Sequence, residues 1–227
     1  MEQSMFDTLL ELPLFQGLGK NDLTRIVEEV RFDFVKCEQG QVIASQDSPC
    51  NQLIFLLKGS LTRHTQSSGR TYSFSERISA PAVLQPESLY GLYRQYTHSY
   101  TVRSSAQLIK IDKSAINNTF INYEVFRLNL INLLSTRIIR SERTLWDTAS
   151  GNTEQRIIRF IRQHVEYPAG EKILNIKMED LAQHLNETRI NISKSLNHLQ
   201  DRGLVLLRRK EIIIPALEKL LVQSNSK

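Results

Sequence analysis

Two short helical patterns joined by a polar turn, between residues 178 and 202, constrain this chain more than any other feature. Asn186 and Glu187 form the connection, and Thr188 can cap the second helix because its hydroxyl accepts from a free N–H of the first turn. Apolar residues recur on one side of each pattern at helical spacing: Leu181, Ala182 and Leu185, then Ile192, Leu196 and Leu199. The pattern predicts a helix-turn-helix.

The second helix carries a different set of side chains away from its apolar face: Thr188, Arg189, Ile190, Asn191, Lys194 and Asn197. Arg pairs bidentately with guanine, Asn with adenine, and an apolar side chain can contact a thymine methyl group. A helix that presents such residues from its N-terminal half is typical of major-groove recognition. The alternative interpretation is an ordinary two-helix hairpin with the same apolar spacing.

A basic hairpin is predicted directly after this pair of helices. Gly203 is placed to end the second helix, because glycine adopts the left-handed conformation needed there at least cost. Two apolar runs, 204–207 and 212–214, flank Arg208, Arg209 and Lys210. This is the pattern of a wing whose tip meets DNA phosphates, which contribute affinity without sequence preference. An ordinary solvated turn is the other interpretation.

Short β-type runs fill the chain from residue 31 to about residue 113. They are separated by turn residues and lie at 30–35, 52–57, 60–65, 71–74, 99–102 and 108–111. Runs of this length and spacing are typical of a compact antiparallel sandwich or barrel.

Residues 123–146 contain neither Gly nor Pro and predict one helix of about 24 residues, roughly 36 Å long. Its apolar positions are Phe126, Leu130, Leu133, Leu134 and Ile138. This face either lies on the helix's own β domain or forms a parallel dimer seam. The polar run 147–152 is a candidate hinge, and an amphipathic helix is predicted from 153 to about 166.

Composition narrows the class of protein. The net charge of +5 divides into +1 for residues 1–149 and +4 for residues 150–227, so the basic excess accompanies the predicted DNA-binding segment. No run approaches the roughly 18 to 20 apolar residues of a membrane helix, and the N-terminus lacks a basic signal-peptide region. We therefore expect a cytoplasmic protein without a membrane partner.

Enzyme motifs are not evident in the sequence. Gly17-Leu18-Gly19-Lys20 superficially resembles a phosphate loop, but Leu14 and Asn21 stand where such a loop needs Gly and Ser or Thr. The chain has no nucleophile elbow, no paired-carboxylate motif and no metal-spaced His pair. We expect no catalytic residues and no metal site.

Five motifs, in order along the chain, resemble the Crp/Fnr family of bacterial transcription regulators. They read Leu-Pro-Leu-Phe-Gln-Gly-Leu at 12–18, Gln-Gly-Gln-Val-Ile at 39–43, Gln-Asp-Ser-Pro at 46–49, Leu-Ile-Phe-Leu-Leu-Lys-Gly-Ser-Leu at 53–61 and Thr-Arg-Ile-Asn-Ile-Ser-Lys at 188–194. The resemblance implies an α+β chain in three parts: a cyclic-nucleotide-binding-like β-roll (jelly roll) at 1–115, a dimerisation helix at 116–148 and a winged helix-turn-helix at 149–227. It also implies a homodimeric, sequence-specific regulator of transcription, with a two-fold symmetric double-stranded operator and RNA polymerase as partners.

The same resemblance implies roles for the recognition helix. Arg189 would contact a guanine, Lys194 a base or a phosphate, and Thr188 and Asn191 the DNA backbone. Ile190 stands where the family usually has Glu. Because Glu accepts from cytosine N4 and Ile cannot, the operator should differ from the family's usual one at that base pair.

The effector pocket departs from the family's pattern. Its candidate residues here are Glu87, Ser88, Tyr90, His98 and Ser99. Cyclic-nucleotide binders of the family use a Glu for the ribose hydroxyl, for which Glu87 is the candidate here, and an Arg for the cyclic phosphate. No Arg stands at the phosphate position in this chain. Losing a bidentate cation removes the strongest contact of a phosphate site, so we do not expect cyclic AMP as the effector.

Other cofactors have less support. Cys37 and Cys50 are too few for an iron–sulfur cluster, so the family's oxygen-sensing mechanism is excluded. His64 and His98 are candidate ligands for haem or a metal, although a single His in a strand is more often an ordinary surface or core residue. The effector is therefore unassigned. The alternative function is a ligand-binding or protein-interaction module whose winged domain contacts a protein rather than DNA.

Overall fold

The computed structural model describes residues 5–146 and 151–224, and these group into two compact units. The first unit contains the described residues up to Thr62 together with Ile78–Arg143. The second contains Arg63–Arg77 and the described residues from Thr144 onward. Of the predicted hinge, residues 147–150 lie outside the described part of the chain.

The described residues form eight α-helices: α1 (Met5–Leu10), α2 (Lys20–Glu29), α3 (Lys113–Asn118), α4 (Glu124–Trp146), α5 (Thr153–Gln163), α6 (Met178–His184), α7 (Arg189–Asp201) and α8 (Leu217–Ser224). They also form eleven strands: β1 (Asp33–Cys37), β2 (Val42–Ala44), β3 (Gln52–Lys58), β4 (Ser60–Gln66), β5 (Tyr72–Ser79), β6 (Ala82–Leu84), β7 (Ser99–Val102), β8 (Ala106–Asp112), β9 (Lys172–Ile176), β10 (Leu206–Arg208) and β11 (Glu211–Ile214). Short 3-10 segments occur at Pro86–Leu89 and Phe120–Asn122.

Antiparallel strands and a cluster of phenylalanine rings build the first unit. One sheet has the order β1-β8-β3-β6, and β2 pairs separately with β7. The ring of Phe15 lies 5.3 Å from that of Phe55, 5.8 Å from Phe120 and 5.6 Å from Phe126, all edge to face. Gly59, between β3 and β4, has φ +90°, and a Cβ there would collide with the backbone of Ser105 and Ala106.

The second unit is a helical domain with a small sheet. Its strands β10, β11 and β9 form an antiparallel ladder, and β5 continues this ladder by pairing with β9. Helices α5, α6 and α7 bury their apolar faces in one core. The predicted α+β architecture, with antiparallel strands, a long helix and a winged helix-turn-helix, is confirmed.

Several predicted element boundaries were wrong. The strand expected at 30–35 begins only at Asp33, because Val30 ends α2 by donating its N–H to Ile26 O at 2.9 Å. The strand expected at 71–74 extends to Ser79. The three-residue strands β2 and β6 were missed, since three residues are too few to show an alternating pattern.

The end of α5 was also predicted too late. The helix stops at Gln163 rather than near 166. Beyond it, His164 O accepts from Arg63 at 3.3 Å, while the N–H groups of Glu166 and Tyr167 donate to the Glu76 carboxylate at 3.0 and 3.3 Å. Residues 90 to 101 positions earlier in the chain therefore bind the backbone groups that a longer helix would have used.

Candidate nucleic-acid interface

The turn between α6 and α7 forms as the sequence predicts. Thr188 Oγ1 accepts the N–H of Asn191 at 3.2 Å and so caps α7. Asn186, at φ 49°, makes the left-handed turn after α6, and Gly203, at φ 69°, does so after α7. These local features set the start and the end of the recognition helix.

Acidic side chains join α5 to both ends of α7. Glu187 accepts from Thr153 Oγ1 at 2.9 Å and from Asn191 Nδ2 at 3.1 Å, and it also pairs with Arg156. At the other end, Glu154 contacts His198 and Arg202, each at 2.7 Å. Sequence reasoning treated Glu187 only as part of the connection. The available signal was its position four residues before Asn191, where side chains of a helix meet.

The residues proposed to read DNA lie outside the buried side of α7, on its exposed surface. Ile192, Leu196 and Leu199 are fully buried beneath it. The predicted contact residues are all exposed: Thr188, Arg189, Ile190, Asn191, Lys194 and Asn197. Ile190 has 66% of its surface exposed, so its side chain is accessible to a partner.

The wing faces the start of α7 across a basic cavity. The hairpin β10–β11 turns at Arg209 and Lys210, with Lys210 at φ 60°. Arg208, Arg209 and Lys210, called the wing cations below, line a cavity of about 410 Å³ together with Arg189 and Lys177. Two acidic residues, Glu179 and Glu211, also line it. Five basic side chains against two acidic ones favour an anionic ligand.

The candidate effector residues lie in the first unit, and each makes contacts within the protein. Glu87 pairs with Arg137 at 2.5 Å, and Tyr90 donates to Asn117 Oδ1 at 2.7 Å. Ser99 Oγ accepts from the Gln46 N–H at 2.9 Å. Ser88 and the backbone N–H of His98 bind the same side chain, that of Gln85, which sequence reasoning missed.

The two histidines suggested as haem or metal ligands belong to different units. His64 belongs to the second unit, where its Nδ1 lies 2.9 Å from Ser75 Oγ and burial lowers its pKa. His98 belongs to the first unit. Among the described residues, no group of three or more His, Cys, Asp or Glu side chains is arranged to hold a metal ion. Both Cys37 and Cys50 are buried free thiols.

The long helix α4 has two apolar sides. Phe126 and Leu130 are buried within the first unit, while Leu133 and Leu134 are half-buried. Ile138, in contrast, is exposed, as are three further apolar residues of this helix: Leu128, Ile131 and Ile139. None of the described helices is long and apolar enough to cross a membrane.

Comparison with known proteins finds similarity to Crp/Fnr regulators in sequence and in fold. Residues 155–222 match the model of the Crp-like helix-turn-helix domain. The chain is 22% identical over 216 residues to the global nitrogen regulator of Synechococcus elongatus, covering 89% of this chain and 91% of that protein. The catabolite activator protein of Thermus thermophilus shares the fold, with a TM-score of 0.53 at 18% identity over 93% of this chain and 97% of the other. So does a protein described as a Crp/Fnr transcriptional regulator from Eubacterium rectale, with a TM-score of 0.55 at 19% identity over 95% and 99% of the two chains.

Residues 155–222 are a Crp-like helix-turn-helix domain, and the chain as a whole is similar in sequence and fold to Crp/Fnr regulators. The predicted resemblance is therefore confirmed, and with it the general function of a Crp/Fnr-type, DNA-binding transcription regulator. Proteins of this family are transcription factors rather than enzymes, in agreement with the expectation from the motifs. Within the Crp/Fnr fold, the 155–222 match covers α7, the wing and the cavity between them.

Proposed function

We propose that this Crp/Fnr-type protein is a cytoplasmic homodimer that binds a two-fold symmetric operator through two copies of α7. The observation that carries the proposal is the cavity shared by Arg189 and the wing cations, which offers a base-reading side chain and phosphate-binding side chains on one surface. A dimer would place its two recognition helices at half-sites about one helical turn apart.

The residue roles follow from the chemistry of each exposed side chain. Arg189 would contact guanine, Lys194 a base or a phosphate, and Ile190 a thymine methyl group. Thr188 and Asn191 would bind the DNA backbone, and Asn197 would lie further along the same face. Because the Thr188 hydroxyl accepts the cap bond, its own hydrogen is available to donate to a phosphate oxygen. The wing cations would bind phosphates.

The dimer would form along the exposed apolar side of α4. At 100° per residue, Leu128, Ile131, Ile138 and Ile139 fall within an arc of about 100°. The buried Phe126 and Leu130 lie on the opposite side of the helix. One face of α4 thus packs on its own unit, and the other would be available to a second copy. Of the residues expected in the dimer seam, Phe126 and Leu130 are buried in their own unit and only Ile138 is on the exposed side, so the seam would be formed by the exposed set instead.

We infer three functional parts, at 1–115, 116–148 and 149–227. The first would sense an effector other than cyclic AMP, the second would hold the dimer together and the third would bind DNA. Binding such an effector would favour one arrangement of the DNA-binding domains over another, through the segment around 147–152. RNA polymerase is the expected protein partner at the promoter.

Selection from a random pool of DNA duplexes, at near-physiological salt and without added effector, tests this function. We expect recovery of a two-fold symmetric site. Arg189→Ala should weaken binding to that site by about 1 to 3 kcal/mol and relax one base position. Arg25→Ala, at an exposed arginine of α2, is the matched control and should change neither.

Two outcomes would contradict the proposal. Equal weakening on all sequences would show that Arg189 does not read a base. Failure to select any duplex would favour the alternative in which the winged domain contacts a protein.

A further inference from the structure

The turn that carries Glu87 is bound to the long helix of the same unit by an ion pair. Glu87 lies in the 3-10 segment Pro86–Leu89, and its Oε2 is 2.5 Å from Nη1 of Arg137 in α4. The two side chains are 42% and 21% exposed, so the pair is only partly shielded from solvent. The carboxylate that the family resemblance assigns to a ribose hydroxyl is therefore already engaged by a cation of this chain.

The side chain of a buried glutamine holds the same turn through hydrogen bonds. Gln85 is 2% exposed, and its Nε2 donates to Ser88 Oγ at 3.0 Å and to Thr97 Oγ1 at 2.7 Å. Its Oε1 accepts the N–H of His98 at 3.2 Å. Gln85 has φ 39°, a left-handed conformation that non-glycine residues adopt at a cost. Three hydrogen bonds from one side chain offset that cost and hold the turn in this shape.

Helix α3 holds the outer side of the turn. Lys113 Nζ donates to Leu89 O at 2.7 Å and lies 4.7 Å from the centre of the Tyr90 ring. The hydroxyl of Tyr90 donates to Asn117 Oδ1 at 2.7 Å. The turn is thus attached to α3 by hydrogen bonds and a cation–π contact, and Arg137 supplies its charged link to α4.

We propose that Arg137 is a built-in ligand of this turn and holds it on α4 in place of a bound cyclic nucleotide. The inference deepens the proposed function, on which its regulatory meaning rests. A neutral ribose hydroxyl that entered the site would have to replace a charge-assisted bond with a weaker one. It would also separate Glu87 from a guanidinium that is four-fifths shielded from solvent. In the unliganded protein the turn therefore stays attached to α4.

Hydrogen exchange of the full-length protein tests this inference without any requirement for DNA. The probe is the set of backbone amides at Ser88, Leu89 and Tyr90. We expect Arg137→Gln and Glu87→Gln each to speed exchange there by about two- to five-fold, the range for a partly exposed ion pair. The matched control is Arg143→Gln, at an exposed arginine of the same helix, and it should leave these amides unchanged.

A charge-swapped double variant separates the ion pair from the size of the side chains. Glu87→Arg combined with Arg137→Glu should return exchange close to the wild-type rate. Exchange in the wild type should not change when excess cyclic AMP is added. The inference is overturned if the single variants exchange like wild type, if the swap fails to restore protection, or if cyclic AMP slows exchange in the wild type.

Duplex selection then distinguishes this inference from the proposed function. A wild-type protein that selects its operator only with cyclic AMP present would refute the inference and leave the proposed function intact. A protein that shows the exchange pattern above but selects no duplex would refute the proposed function and leave the built-in ligand in place.

Discussion

Glu76 should be among the most sensitive positions in the second unit, because it is the shared partner of two buried cations. Its carboxylate lies 2.8 Å from Arg63 Nε and 3.1 Å from Lys172 Nζ, and the side chains of Glu76 and Lys172 are only 3% and 1% exposed. It also accepts the backbone N–H groups of Glu166 and Tyr167. Glu76→Gln keeps the shape but leaves the cations without this charge.

The expected cost is about 3 to 5 kcal/mol, the range for removing one partner of a buried ion pair. Glu166 pairs with Arg63 at 2.7 Å and still compensates that cation in the variant, so Lys172 should be affected more than Arg63. The assay is urea unfolding followed by far-UV circular dichroism, with hydrogen exchange at β9 to assign the destabilisation to the second unit.

Two further variants show whether the cost of Glu76→Gln comes from leaving a buried charge without its partner. Asp33→Asn breaks the ion pair between Arg31, 91% exposed, and Asp33, and surface pairs of this kind contribute about 1 kcal/mol or less. Replacing Arg63, Glu76 and Lys172 together with Met should be less damaging than Glu76→Gln, because the two buried cations and their shared carboxylate are removed together. Glu166 loses Arg63 in this variant, but its side chain is 17% exposed. A destabilisation below about 1 kcal/mol for Glu76→Gln would refute the reasoning.

Three further predictions concern charge, pH and association. The slope of the logarithm of the DNA-binding constant against the logarithm of salt concentration should become shallower by about 0.9 for each phosphate that the wing no longer neutralises, when the wing cations are replaced with Gln. An unchanged slope in binding titrations would show that the wing does not touch phosphate. Burial lowers the pKa of His164 below its ordinary 6.5, so the neutral side chain stabilises the fold above that pH and the benefit is lost as pH falls. The midpoint temperature of thermal unfolding should therefore fall less between pH 7.5 and pH 5.5 in His164→Gln than in the wild type. An equal fall in the two proteins would contradict this. Ile131→Glu with Ile138→Glu should give a folded monomer in analytical ultracentrifugation, whereas an unchanged sedimentation coefficient would place association elsewhere.

Much of the nucleic-acid interface was predictable because its determinants are local. The Thr188 cap, the apolar spacing of α7 and the glycine after it lie within 16 residues of one another, so each can be recognised without knowing the rest of the fold. The core strands β3 and β7 were also predicted within one residue of their observed ends. The contacts of Glu187 were missed, since two of its partners belong to α5, more than 30 residues earlier.

The sequence by itself determined the class of this protein: an α+β chain with a helix-turn-helix, a basic wing and a long helix between its β and DNA-binding segments. Helix caps, apolar periodicity and turn glycines act over a few residues, and a single sequence displays them. Only the tertiary structure decided that Glu87 meets Arg137, that Gln85 closes the adjacent turn and that Glu76 joins Arg63 to Lys172. These partners are separated by 12 to 96 positions, and their pairing depends on how the strands and helices pack rather than on any spacing along the chain.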